Sequence, residues 1–134
     1  NGVRKAMQHH FPDHRIMIFS DQDDEMMRCM ACTAQLFSRA QIVVGIHGAG
    51  LTNCVFMPPD GVVVEVVPRF DSRHAPVTGI FARLSGMNGL NHYSYYIGDD
   101  SFHPDLLAND TRIYFDEIMR GQPRRMPHVL SLKF

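Results

Sequence analysis

Two runs constrain this chain more than anything else in it: Ile42-Val43-Val44-Gly45-Ile46 and Val62-Val63-Val64-Glu65-Val66-Val67, joined by a glycine-rich connection. Apolar runs without polar alternation mark strands covered on both faces, as in parallel sheets, and β-branched residues suit them. Parallel neighbours need a crossover, usually helical. The connection supplies one. His47-Gly48-Ala49-Gly50 turns the chain out of the first strand, Leu51 to Met57 reads as a short helix, and Pro58-Pro59-Asp60-Gly61 stops it before the second strand. The unit is βαβ.

The chemistry of a βαβ unit sits at the carboxyl end of its strands, where the first helical amides lack partners and the helix dipole presents its positive end. A phosphate or pyrophosphate is the guest that this end suits. Two glycines at the turn permit positive φ and close approach of a ligand to the backbone, or they serve only a tight turn. Glu65 is the one charge in its strand, and a buried carboxylate is costly without a partner. Either a ribose diol at the strand end, or a nearby arginine or backbone amide, meets that need. His47 at the turn is placed to hydrogen-bond a phosphate oxygen, or to offset leaving-group charge when protonated, or to make a hydrogen bond within the turn.

The pattern His47-Gly48-Ala49-Gly50-Leu51-Thr52-Asn53, followed by Phe56, Pro58-Pro59, Gly61, Val64-Glu65 and Pro68, resembles the signature of glycosyltransferase family 61. The dinucleotide pattern GxGxxG is absent, the order being Gly45-x-x-Gly48-x-Gly50. Resemblance at motif level covers residues 42–68, and in order of elements residues 13–98. It implies an inverting glycosyltransferase of GT-B architecture, built of two Rossmann-like halves, of which this chain is the C-terminal, nucleotide-sugar-binding half. A UDP-sugar is the expected donor and a glycan or glycoprotein the acceptor, with no metal and no other cofactor. On the matching positions, His47, Gly48, Ala49, Gly50, Leu51 and Thr52 are expected to hold the donor diphosphate, with Glu65 orienting the ribose. His47 is a candidate leaving-group stabiliser. The catalytic base is unassigned and expected across the cleft, so the isolated chain is expected to be inactive. By the same resemblance the enzyme belongs in the Golgi or endoplasmic reticulum lumen. Two rivals remain: a nucleotide-binding regulatory module and an inactive interaction domain of the same fold.

The whole chain bounds this picture. At 134 residues and 45% hydrophobic it holds one core, so the expectation is a single α/β domain of three layers around a Rossmann-like parallel sheet, a fragment of a longer two-domain protein with a tail at 121–134. Thirteen basic and fourteen acidic residues give a net charge of −1, which leaves no electrostatic footprint for nucleic acid or an anionic membrane. No stretch is apolar for the roughly 20 residues a span requires. A membrane anchor is expected only upstream. GxSxG and GK[ST] patterns are absent, which removes hydrolase and Walker-type readings.

Before the central unit, Arg15 to Ser20 reads as a first strand after a loop at Phe11-Pro12-Asp13. A helix then runs from Asp21 to about Arg39, with Met26, Met30, Ala34, Phe37 and Ala40 covering the sheet. Asp21-x-Asp23 fits helix-start carboxylates better than a metal-binding DxD. Cys29, Cys32 and Cys54 form no disulfide framework, and Cys29-x-x-Cys32 falls inside the helix, where buried cysteines are expected rather than a redox or metal pair.

After it, Arg69 and Arg73 lie in a polar loop at the carboxyl edge, available to a phosphate or merely solvated. Ala75 to Met87 reads as a helix with Val77, Ile80, Phe81 and Leu84 apolar at 3–4 spacing, Asn91 to Ile97 as a strand, Gly98 to Asp105 as a loop, and Thr111 to Arg120 as a last helix with Ile113, Tyr114 and Ile118 inward. Asn109-Asp110-Thr111 is a glycosylation sequon. The other histidines, His92 among them, form no metal set.

Overall fold

The computed structural model describes residues 2–20, 28–68, 79–97 and 102–120. Strands β1 (Ile42–Ile46), β2 (Val62–Val67) and β3 (Asn91–Tyr96) form a parallel sheet in that order. Gly45 pairs with Glu65, and Glu65 with Ser94. Every residue of β2 is buried, which is why its sequence shows no polar alternation. At about 1.5 kcal/mol or more for each fully buried valine, it is the strand the fold can least lose.

The two faces of the sheet carry separate cores. Val62, Val64 and Val66 join Tyr93 and Tyr95 against Ala6 and Met7 of α1 (Gly2–His10) and Leu107, Ala108 and Phe115 of α4 (Pro104–Met119). Val63 faces the opposite way. It packs with Phe37 of α2 (Met30–Phe37), Leu51 and Cys54 of a 3₁₀ helix (Ala49–Phe56), and Phe81 of α3 (Gly79–Met87). Helices on both faces of a parallel sheet make the three-layer, Rossmann-like architecture that the apolar runs require. At the amino edge the loops are tied together: Asp60 N donates to Gly89 O at 2.9 Å, and Asn91 Nδ2 to Asp60 O at 3.1 Å.

Several sequence expectations change. Arg15 to Ser20 forms no strand. Ile16 packs into the α1/α4 core and Phe19 into the opposite one, while Met17 and Ile18 between them are 53% and 54% exposed; adjacent residues of a strand point to opposite faces, so two exposed neighbours do not fit a strand covered on both. The helix before β1 starts at Met30. Cys29 sits at φ −110°, ψ 87°, outside helical geometry, and its Sγ accepts from Cys32 N. Met30 is 76% exposed rather than covering the sheet. Cys29 and Cys32 form a disulfide, and only Cys54 is a buried free cysteine.

Further along, α4 begins well before Thr111, because Leu107, Ala108, Thr111 and Phe115 make one inward stripe at helical spacing, and Pro104 suits a first turn. Ile80 and Ile113 face solvent. The α1 helix has no counterpart in the sequence expectations. Tertiary contact makes it: His10 Nε2 pairs with Asp105 Oδ1 at 3.0 Å, and Met7 and Ala6 enter the α4 core. The sequon lies within α4, where Thr111 is buried and donates Oγ1 to Leu107 O at 2.7 Å, so the folded helix does not offer it as a surface loop. Asp21, Asp23, Met26, Arg69, Arg73, Val77 and the 121–134 tail lie outside the described residues.

Candidate functional site

The candidate site starts where β1 ends. His47 N donates to Val66 O at 2.8 Å, carrying the ladder one step past the strand, and the chain then breaks away at Gly48. That residue holds φ 157°, ψ 175°, a conformation essentially closed to residues with a Cβ. The first bond of the 3₁₀ helix runs from Leu51 N to Gly48 O at 3.0 Å. The amides of Ala49 and Gly50 precede it and carry the positive end of the helix to the carboxyl edge. Ala49, Gly50 and Thr52 are exposed, and Gly48 is half-buried. Leu51 is different. Its side chain fills the core and its amide is committed to Gly48, so it anchors the turn from below.

Beneath the turn lies Glu65, 0% exposed. Its Oε1 accepts from His47 Nδ1, and its Oε2 accepts from His92 Nε2 at 2.8 Å. Because an ionised carboxylate only accepts, these contacts place a ring proton on Nδ1 of His47 and on Nε2 of His92. Burial pushes the Glu65 carboxyl up, but hydrogen bonds and charge from His92 and His47 outweigh it, and the net shift is downward. The carboxylate is therefore ionised at neutral pH and orients the His47 ring, whose side chain is 15% exposed. Phe81 of α3 presses edge-on against that ring, centroids 5.3 Å apart.

The structure thus brings His47, Gly48, Ala49, Gly50 and Thr52 to one edge, with Leu51 and Glu65 behind them. Glu65 stands under the opening, with both oxygens engaged by imidazoles rather than by an arginine or a backbone amide. His92 was not among the expected site residues. The signal for it was the lone charge in β2, which demanded a buried partner; its identity depends on register, since His92 pairs with Val63 and so lies diagonally from Glu65 on the same sheet face. On the α1/α4 face the same edge opens a hollow of about 160 Å³, lined by apolar groups including Val44, Val66, Phe102 and Leu107. Among the described residues no group of His, Cys, Asp and Glu is arranged to hold a metal ion, and no helix is long and apolar enough to cross a membrane.

Residues 2–64, ending one residue before Glu65, match the family model described as Glycosyltransferase 61. This chain carries a glycosyltransferase 61 region. It is 34% identical over 86 residues to alpha-1,3-arabinosyltransferase XAT3 of Oryza sativa subsp. japonica, a match covering 63% of this chain and 15% of that protein. It is 33% identical over 67 residues to beta-1,2-xylosyltransferase XAX1 of the same plant, covering 50% of this chain and 12% of the relative. A third, alpha-1,3-arabinosyltransferase XAT2, is 41% identical over 34 residues, or 25% of this chain and 6% of that protein. The matched part is thus a small share of each relative's length. No solved structure matches. These relatives are glycosyltransferases, and the glycine turn, from His47 to Asn53, falls inside the family match.

Proposed function

We propose that this chain forms the donor half of a GT-B glycosyltransferase, which transfers a sugar from a UDP-sugar to a glycan or glycoprotein acceptor with inversion at the anomeric carbon. One observation carries the proposal: Gly48 turns the chain so that the Ala49 and Gly50 amides stand exposed at the carboxyl edge beside an imidazole held by a buried carboxylate. Diphosphate oxygens accept from those amides and from the Thr52 hydroxyl. As the bond between the sugar and the diphosphate breaks, negative charge grows on the leaving oxygen, and His47, its Nδ1–H held by Glu65, offsets it as an imidazolium donating from Nε2. Glu65 acts on the donor through His47 rather than on the ribose directly.

Inversion also needs a base for the acceptor hydroxyl. No residue of this chain is given that role; it belongs to the facing half of the enzyme. The relatives are named for arabinosyl and xylosyl transfer, which makes UDP-pentoses the first donors to try. The Cys29–Cys32 disulfide supports an oxidising compartment such as the Golgi or endoplasmic reticulum lumen.

A thermal-shift titration with UDP, GDP, CMP, ADP and NAD tests the proposal. UDP at about 100 times its Kd adds about 2.7 kcal/mol of stability, the other nucleotides add little, and the chain alone transfers no sugar. Equal stabilisation by ADP or NAD, or none by UDP in a cooperatively melting chain, refutes it.

A further inference from the structure

We infer that His92 is a positioning residue for His47, acting through Glu65; the inference deepens the donor-site proposal and rests on His47 facing the diphosphate. His92 is the second residue of β3, whose carboxyl end is Tyr96, and its side chain is 10% exposed. It lies too far below the carboxyl edge to meet a donor. What it meets is the far oxygen of Glu65, at 2.8 Å.

That contact matters because of how His47 is held. A fully buried carboxylate with only one partner leaves its other oxygen without a hydrogen bond, and such a group relieves the cost by taking up a proton or by swinging away. Either change takes from His47 the acceptor that keeps its proton on Nδ1. With His92 in place both oxygens are satisfied, the carboxylate stays ionised and fixed, Nδ1 of His47 keeps its proton, and Nε2 is the nitrogen that a protonated ring turns to the diphosphate as donor. Second partners of this kind commonly set the tautomer and orientation of a working imidazole.

The surroundings make His92 a rigid support. The β3 strand pairs with β2 throughout its length, and the backbone carbonyl of His92 accepts from the Tyr114 hydroxyl of α4 at 2.9 Å. The sheet and the helix behind it therefore fix the base of the chain His92–Glu65–His47, while Phe81 holds the outer ring. Its opposite end lies beside the residue that opens the glycine turn.

The test reads the His47 ring directly. Nitrogen-15 shifts of the imidazoles are recorded on the full chain as wild type, His92→Gln, His92→Phe and His92→Asn, first without and then with UDP. Gln keeps a donor of similar reach, Phe removes it, and Asn is polar but too short to reach Oε2; Asn also keeps the test open if Phe prevents folding. Expected without UDP is a single Nδ1–H tautomer for His47 in wild type and His92→Gln, with averaged shifts in His92→Phe and His92→Asn. UDP affinity then falls about tenfold in those two variants and is retained with Gln. An unchanged His47 tautomer in a folded His92→Phe or His92→Asn variant overturns the inference, as does equal UDP affinity across the series. If the tautomer responds as expected while UDP binds no form of the chain, positioning of His47 stands and the donor-site proposal fails.

Discussion

Gly45 lies directly beneath Leu51: a Cβ built on Gly45 would stand 2.7 Å from Leu51 Cδ2 and 3.3 Å from its Cγ. Gly45 occupies β1 opposite Glu65, so the absence of a side chain there lets the 3₁₀ helix settle onto the sheet with Leu51 3% exposed. The glycine serves packing rather than a backbone conformation.

Gly45→Ala should therefore lift Leu51 and with it the turn. Overpacking of this kind costs about 1–3 kcal/mol. Urea denaturation should show that loss, and UDP affinity should fall as well, because the Ala49 and Gly50 amides move with Leu51. Wild-type stability in Gly45→Ala would mean that the 3₁₀ helix is free to shift outward without penalty.

Glu65 makes stability depend on acid. Its folded carboxyl titrates below the ordinary value of 4.5. A depressed carboxyl contributes stability that is complete above that value and lost as the pH falls through the folded one. Asp110, raised by burial, works in the opposite sense, so a comparison of wild type with Glu65→Gln isolates the Glu65 part. The variant should lose about 1–3 kcal/mol at neutral pH, and the gap should close as both proteins are unfolded by urea at successively lower pH. A gap that stays constant to about pH 3 would show that the contacts of Glu65 do not depend on its charge.

How much of this was legible in the sequence follows from where each element gets its stability. β2 and the turn could be read because local pattern and final environment agree: the uninterrupted valines of β2 are buried on both faces, and Gly48 stands where the chain must break. β1 is a strand as expected but only half-buried, with Ile46 70% exposed, because it is an outer strand of the described sheet. The α1 helix could not, since its support is a helix about a hundred residues away. Arg15 to Ser20 looked like a strand because its residues are β-prone, yet the adjacent Met17 and Ile18 are both exposed, which a strand covered on both faces does not allow. At the site, His47 and Glu65 stood out by position and by the cost of a buried charge. His92 did not, because only the register of β3 against β2 brings it to Glu65.

The Cys29–Cys32 disulfide closes a loop of four residues, and a loop so short removes little entropy from the unfolded chain. Loop-closure arithmetic gives about 2 kcal/mol. Cys32 is exposed and Cys29 half-buried, so dithiothreitol should reduce the pair in the folded protein. Alkylation and mass spectrometry should then find Cys29 and Cys32 labelled and Cys54 untouched, its thiol buried and pushed up in pKa by that burial. Labelling of Cys54 at the same rate would show that reduction opens the core around α2.

Gly48 and Gly50 should answer an added side chain differently, and the difference separates folding from binding. Gly48→Ala forces a Cβ into φ 157°, ψ 175°, at a cost of about 1–3 kcal/mol whatever the space around it. A Cβ on Gly50 meets no atom within 4 Å, so Gly50→Val should melt close to wild type. If a diphosphate sits on the Ala49 and Gly50 amides, the valine stands in its path, and UDP should stabilise Gly50→Val at least tenfold less tightly than wild type. Thermal melts of both variants with and without UDP decide it: a Gly50→Val chain that folds normally and binds UDP normally would remove the diphosphate from this turn.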